Sequence, residues 1–186
     1  MTAGLLSDTY TSLKRRAAVT CCICCGRQLA DATSITLGAG RTCRIRLGID
    51  EKIRNNAQAN ELLAAAAIAA EEGRAQATID LLRDLLALDH AYEPLIHKVE
   101  RRLFRFRIRP NPDGDGFLIF SPYHPELPER FKAIGCWWRP IQKAWLANSV
   151  GQRDAAIAAL AELWPAAELL MPSGTVLALS SWEGVA

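Results

Sequence analysis

"LFRFRIRPNPDGDGFLIF", residues 103–120, decides how the second half of this chain folds. Phe104, Phe106 and Ile108 alternate with Arg105, Arg107 and Arg109. Successive side chains leave a strand on opposite sides, so this alternation predicts a strand with three apolar groups inward and three guanidiniums outward. "PNPDGDG" is dense turn chemistry, and "FLIF" predicts the returning strand of a hairpin. The same "PDGDG" lacks the remaining oxygen ligands and closing glutamate of a calcium loop, which leaves the turn as its reading.

Working toward the C-terminus, Pro125 predicts the start of a helix with Leu127, Phe131 and Ile134 on one face and Gly135 as its stop. "CWWRPIQKAWLAN" reads as two short strands around a turn, and Ser149 with Gln152 as the capping box of a last helix bearing Ile157, Leu160 and Trp164. In that register Trp138 and Trp145 are buried against Phe131 and Ile134, while Trp137 faces the other way. The order is β-β-α-β-β-α over 103–164, followed by a tail, 165–186, in which "TVLALS" predicts an edge strand.

Working toward the N-terminus, residues 51–102 form a helical region. "NELLAAAAIAAEEGRAQATIDLLRDLLAL" gives two helical patterns broken at Gly73, with Ile79, Leu82 and Leu86 on one stripe. A further short helix with Pro94 in its first turn carries Leu95, Ile96 and Val99. Residues 1–19 are a polar leader, and 20–48 a cysteine-rich segment with no core of its own. The fold class is α+β: an N-terminal zinc-knuckle segment, a helical hairpin linker and a C-terminal ββαββα module.

The chain has 186 residues, half of them apolar, with a formal net charge of +2. That balance does not by itself imply nucleic acid, but its distribution is uneven. "KVERRLFRFRIR", 98–109, holds six bases against one acid, whereas 154–170 holds three acids and no base. The longest apolar run, "LLAAAAIAA", is about half of what a bilayer requires, and the N-terminus lacks a signal-peptide cleavage pattern. The expectation is a soluble cytoplasmic protein with no membrane partner, in which clustered cysteines serve metal or redox chemistry rather than disulfides.

Four of the six cysteines fall within "CCICC", 21–25. Cys22 and Cys25 stand in Cys-x-x-Cys spacing, which offers two thiolates from one tight turn, and Gly26 permits the backbone to turn with positive φ. Seventeen residues separate Cys25 from Cys43, a usual distance between paired zinc knuckles. The fourth ligand is open: position 46 is Arg46, which cannot ligate, and Cys21, Cys24, His90 and His97 are the alternatives. Zn2+ is the expected cofactor. No βαβ unit surrounds the motif as a thioredoxin-like site requires. Cys136 reads as a core cysteine, and His97 and His124 as surface or capping groups.

The stretch "CICCGRQLADATSITLGAGRTC" (22–43) resembles a small zinc-ribbon-like domain of unknown function, common in actinobacterial and phage proteins, whose pattern is C-x-x-C-G-R-x-L followed by G-x-G-P-x-C. Cys22, Cys25, Gly26, Arg27, Leu29, Ser34, Gly38, Gly40 and Cys43 match it, and Arg41 stands in the place of its proline. The resemblance implies metal binding, not an activity. Farther on, Tyr123, Leu127, Phe131, Lys132, Trp138, Lys143 and Trp145 are similar to the HARP module that accompanies annealing helicases, over about 103–163. Lys143 stands two residues before Trp145, where the module has them adjacent. This second resemblance implies a compact α/β module for single-stranded or junction DNA.

The residues themselves support nucleic acid as partner, and the second resemblance implies DNA more than RNA. Arginines at alternate positions of a strand recur at about 6.6 to 6.8 Å, near the phosphate spacing of an extended single strand, and guanidinium forks suit phosphate oxygens. The expected contacts are Arg105, Arg107, Arg109, Lys132, Arg139 and Lys143, with Trp137 stacking on a base. The chain contains no G-x-x-x-x-G-K-[ST], G-x-S-x-G or H-E-x-x-H, so the expectation is a non-catalytic accessory DNA-binding protein of phage or mobile-element origin. The alternative is a protein-interaction adaptor or inhibitor that uses its Ala-rich helices and exposed tryptophans.

Overall fold

The computed structural model describes residues 19–182, an α+β chain that divides after Leu103 into two compact units. The leader read over 1–19 lies outside the described residues except for Val19. Among the described residues, no helix is long and apolar enough to cross a membrane.

The first unit is helical. After the cysteine turn come α1 (Ala32–Leu37), α2 (Arg41–Arg46), α3 (Asp50–Asn55), α4 (Ala57–Glu71), α5 (Ala75–Leu88), a 3-10 turn (His90–Tyr92) and α6 (Glu93–Leu103). α4 and α5 form the expected hairpin about Gly73, which takes φ 70°. α6 carries Leu95, Ile96 and Val99 buried, as its spacing predicts. Two expectations need correction. The helical region starts at Asp50 with a separate short helix, because Asn56 leaves helical geometry and caps α4 with its side chain, accepting from the Ala59 amide at 3.0 Å. Residues 32–46, read as coreless spacer, form two six-residue helices. Asp31 caps α1 by accepting from the Ser34 amide at 2.8 Å, and Gly38 closes it at φ 65°.

Gly38 also lets α1 meet α4. A Cβ there would lie 2.2 Å from the Ala67 Cβ, so both the backbone angle and the close approach require glycine. Ala59, Ala65, Ala66, Ala67 and Ala69 are buried with Leu63, so the alanines of α4 are interior residues that let neighbouring helices come near.

The second unit is a six-stranded sheet of order β3-β4-β2-β1-β5-β6. β1 (Phe106–Pro110) and β2 (Phe117–Phe120) form the hairpin, α7 (Leu127–Ile134) follows, and β3 (Trp137–Arg139) and β4 (Ala144–Ala147) pair antiparallel. After α8 (Val150–Leu163), β5 (Glu168–Leu170) runs parallel to β1, and β6 (Val176–Ala178) forms the edge. The ββαββα order is as expected, and so is an edge strand from "TVLALS", which is β6; the addition within 165–182, read as a tail, is β5, which joins that edge to β1.

The faces of this sheet differ. Phe106, Ile108, Ile119, Trp145 and Leu169 pack with Leu127 and Phe131 of α7 and with Ile157 and Leu160 of α8. The opposite face has its own small cluster, Leu118, Ala144 and Leu146 with Phe120, to which no helix contributes. Ser149 caps α8, accepting from the Gln152 amide at 3.2 Å, and the Gln152 side chain accepts from the Asn148 amide at 2.8 Å, one residue earlier than a capping box requires. α7 begins at Leu127 rather than Pro125, with Pro128 in its first turn, where a missing amide costs nothing.

Candidate metal centre and nucleic-acid interface

The cysteine turn is built from its backbone. The Gly26 amide donates to the Cys22 carbonyl at 2.8 Å, the Cys22 amide to Arg27 at 2.8 Å, and Gly26 takes φ 73°. Two side chains from elsewhere in the unit anchor it. The Glu71 carboxylate accepts from the amides of Thr20 at 2.8 Å and Cys21 at 2.6 Å, and Arg102 donates to the Ile23 carbonyl at 2.9 Å. Cys22, Ile23 and Cys24 are buried, whereas Cys25 is exposed, so the turn tucks its first three residues under and presents only its last cysteine.

Cys22, Cys25 and Cys43 come together, with their three Sγ atoms all within 4.8 Å of one another. Three corners of a zinc–thiolate tetrahedron with bonds of about 2.3 Å lie about 3.8 Å apart, so the cluster needs only a small contraction to hold such an ion. All six cysteines and three histidines of the chain are among the described residues, and Cys21, Cys24, His90 and His97 are outside the cluster.

The thiols are electrostatically unequal. Hydrogen bonding from Cys24 lowers the Cys22 thiol to about 4 against the opposing effect of burial, and the Gly40 amide, 3.3 Å from its Sγ, assists. Burial, then the neighbouring Cys25 and Cys22, pushes Cys43 up to about 12. Cys24 is raised, first by donating to Cys22 and then by burial. Negative charge on one thiol opposes ionisation of the next, so a cation among them would favour the three thiolates together.

Other expected residues fall as follows. Cys136 is buried, and burial raises its thiol to about 11. His124 has a capping part, its Nδ1 accepting from the Glu126 amide at 3.3 Å. His97 lies 3.5 Å from Glu93 one turn away on α6.

In the second unit the register sorts the expected nucleic-acid contacts into two groups. Trp137 pairs with Leu146, Leu146 with Leu118, and Leu118 with Arg109, which makes one row across four strands of the helix-free face. Three interstrand steps of about 4.8 Å place the ends of that row about 14 Å apart, roughly two nucleotides of extended strand. Arg139 and Arg107 lie on the same face, one strand position pair away. Trp137 is 67% exposed, and Arg139 is exposed beside it. Arg107 is engaged: it donates to the Phe104 carbonyl at 3.2 Å and lies 4.0 Å from the Phe120 ring centre, so its guanidinium braces the sheet instead of standing free for phosphate. Arg105 precedes β1 and is exposed.

Lys132 and Lys143 belong to the other group. They line a groove of about 730 Å³ on the helix side with Tyr123, His124, Trp138 and Trp145. Lys143 is held at φ 51° in the β3–β4 turn, a left-handed conformation unusual for a side-chain-bearing residue. Trp138, expected to be buried, is 49% exposed. It does lie on the core side, 5.4 Å from Trp145 ring to ring, but β3 is an edge strand of three residues, and among the described residues no strand pairs with its outer side. Tyr123, Leu127, Lys132, Trp138, Lys143 and Trp145 of this groove are residues singled out by the second resemblance, but no sequence pattern outlines the groove itself, because Pro122, Tyr123 and His124 lie outside regular elements, where no period marks them.

The remaining bases of this unit are tied to acids: Arg130 to Glu126 at 2.8 Å and also to Glu162, and Arg153 to Asp154 at 2.7 Å. Lys132, Arg139 and Lys143 have no such partner among the described residues. No family model, no curated protein and no solved structure matches this chain.

Proposed function

We propose that this chain is a non-catalytic nucleic-acid-binding protein whose second unit takes single-stranded or junction DNA and whose first unit is held by a structural zinc ion on Cys22, Cys25 and Cys43. The observation that carries the DNA reading is a row across four strands of the sheet, with an exposed tryptophan at one end and an arginine at the other, on either side of the buried Leu146 and Leu118. Aromatic stacking plus backbone neutralisation is how sequence-tolerant single-strand binding is built. The adaptor reading loses one of its two surfaces, since the alanines of α4 are used within the first unit.

Filter binding of labelled single-stranded DNA at a series of salt concentrations tests this reading. Arg109→Gln with Arg139→Gln is expected to weaken binding to all sequences alike and to flatten the slope of log affinity against log salt by about 0.7 to 0.9 per lost phosphate contact. Binding absent at low salt, or a slope the double variant leaves unchanged, removes DNA from this face.

Zinc on three thiolates fastens the turn to α2, joining Cys22 and Cys25 to Cys43 across the segment between them. Purified protein is expected to contain about one zinc per chain, and Cys25→Ser to release it and expose residues 20–48 to proteolysis. Elemental analysis checks the first point. Metal-free protein with all six thiols open to titration overturns it.

A further inference from the structure

The cluster supplies three thiolates where a tetrahedral ion takes four ligands. Every other cysteine and histidine of the chain is described, and none joins it. Cys24, nearest in sequence, is buried and hydrogen-bonded to Cys22, but its Sγ is not within the common distance that groups the other three. Over the three thiols lies a cavity of about 790 Å³, which Cys24 also lines. Its lining is strongly one-signed: Arg27 from the turn, Arg41 and Arg46 from α2, and Lys98 and Arg101 from α6, against the single carboxylate of Asp31. Asp31 is committed to the cap of α1. Arg27, Arg41, Arg46 and Lys98 have no ion-pair partner among the described residues, and all are exposed and free to converge.

We infer that the ion's fourth position is open to this cavity and takes a phosphate oxygen from outside the chain. The inference rests on the metal reading above but gives the site a ligand of its own. A dication on three thiolates carries one net negative charge, so the ion alone holds an anion weakly. Five surrounding cations reverse that balance, and guanidinium forks match phosphate oxygens in pairs. A carboxylate that ligated the ion would have one oxygen left for these groups, whereas a phosphate has three, and the cations approach from three separate elements. The shared chemistry belongs to free phosphate and to the phosphate of a nucleotide.

The full chain loaded with Co2+ tests this, read by cobalt content, the visible spectrum and the 31P line width of inorganic phosphate and of adenosine 5′-monophosphate. One cobalt per chain is expected, with saturable broadening of a phosphorus line and a shift of the visible bands. Arg27→Ala with Arg41→Ala is expected to weaken that response about tenfold while cobalt content stays the same. Stronger response to the nucleotide assigns the source to nucleotides, and stronger response to inorganic phosphate assigns it to the free ion. Cobalt bound with lines and spectrum unresponsive to either probe overturns the open position and leaves the metal reading intact. A visible spectrum altered by Cys24→Ser overturns it as well, since Cys24 is then the fourth ligand. Failure to take up cobalt overturns both.

Discussion

Arg44→Ala is expected to lower the stability of the first unit by about 3 to 5 kcal/mol, the usual consequence of removing one member of a buried ion pair. Arg44 is 2% exposed, the most deeply buried charge among the described residues, and its Nε lies 2.7 Å from the Asp50 carboxylate. Its guanidinium also donates to the Ala39 carbonyl and to the Ser34 hydroxyl, the latter at 3.3 Å. One side chain thus ties the middle of α1, the bend before α2 and the start of α3. Deleting it leaves a carboxylate, a carbonyl and a hydroxyl without that donor, as well as a cavity. Arg44→Lys retains the charge but cannot serve three acceptors in different directions, so most of the loss remains.

The pair also sets an acid limb. The hydrogen bond from Arg44 holds the Asp50 carboxyl below its ordinary value. A depressed folded pKa gives stability that is full above the unfolded value, near pH 4, and is lost as pH falls through it toward the folded one. Arg44→Ala therefore flattens the stability of the first unit against pH on the acid side. Because Cys43 precedes Arg44 on α2, zinc affinity is expected to fall in the same variant. Thermal melts between pH 3 and pH 7, together with zinc content, check both, and an unchanged midpoint across that range contradicts the role assigned to Arg44.

What the sequence made legible follows from period length. The alternation at 104–109 spans enough residues to set register, and it places Phe106 and Ile108 in the core and Arg107 and Arg109 opposite. Gly73 and Gly135, both at positive φ, mark helix ends where their patterns stop. α1 and α2 have six residues each, under two turns, too few for a 3.6-residue period to appear. Their signals were caps instead, Asp31 before and Gly38 after. β5 has three residues and pairs with a strand about sixty positions earlier, a partnership that no local pattern carries. Arg44 was hidden for another reason: among the seven bases and acids of 41–54 nothing in sequence separates the buried one from its neighbours. The three clustered cysteines were legible from spacing, whereas two of the cations above them, Lys98 and Arg101, come from α6, far along the chain.

Trp145→Ala is expected to cost the second unit about 3 to 5 kcal/mol, as large-to-small changes of buried aromatics do, while Trp137→Ala leaves its melting temperature nearly unchanged. Trp145 is 7% exposed, in the central part of β4, edge-on to Phe131 at 5.3 Å and to Trp138 at 5.4 Å. Its removal takes away a large part of the packing between β4 and α7. Trp137 stands one residue from Trp138 on the edge strand and points to the helix-free face, where it is 67% exposed. Little packing is lost with it. Its expected effect is on binding: a stacked base is worth about 1 to 3 kcal/mol, so single-strand affinity falls about tenfold or more. Trp138→Ala belongs between the two, since its ring is half-exposed against Trp145 and also lines the lysine groove. Melting curves and single-strand titrations on the three variants separate these roles. A destabilised Trp137→Ala with a Trp145→Ala that melts normally but binds poorly requires every side chain of β3 and β4 to exchange faces, a slip of one residue in register. Equal loss of affinity in Trp137→Ala and Trp138→Ala, with both melting normally, places the strand around the β3 edge, in contact with the sheet face and the groove together.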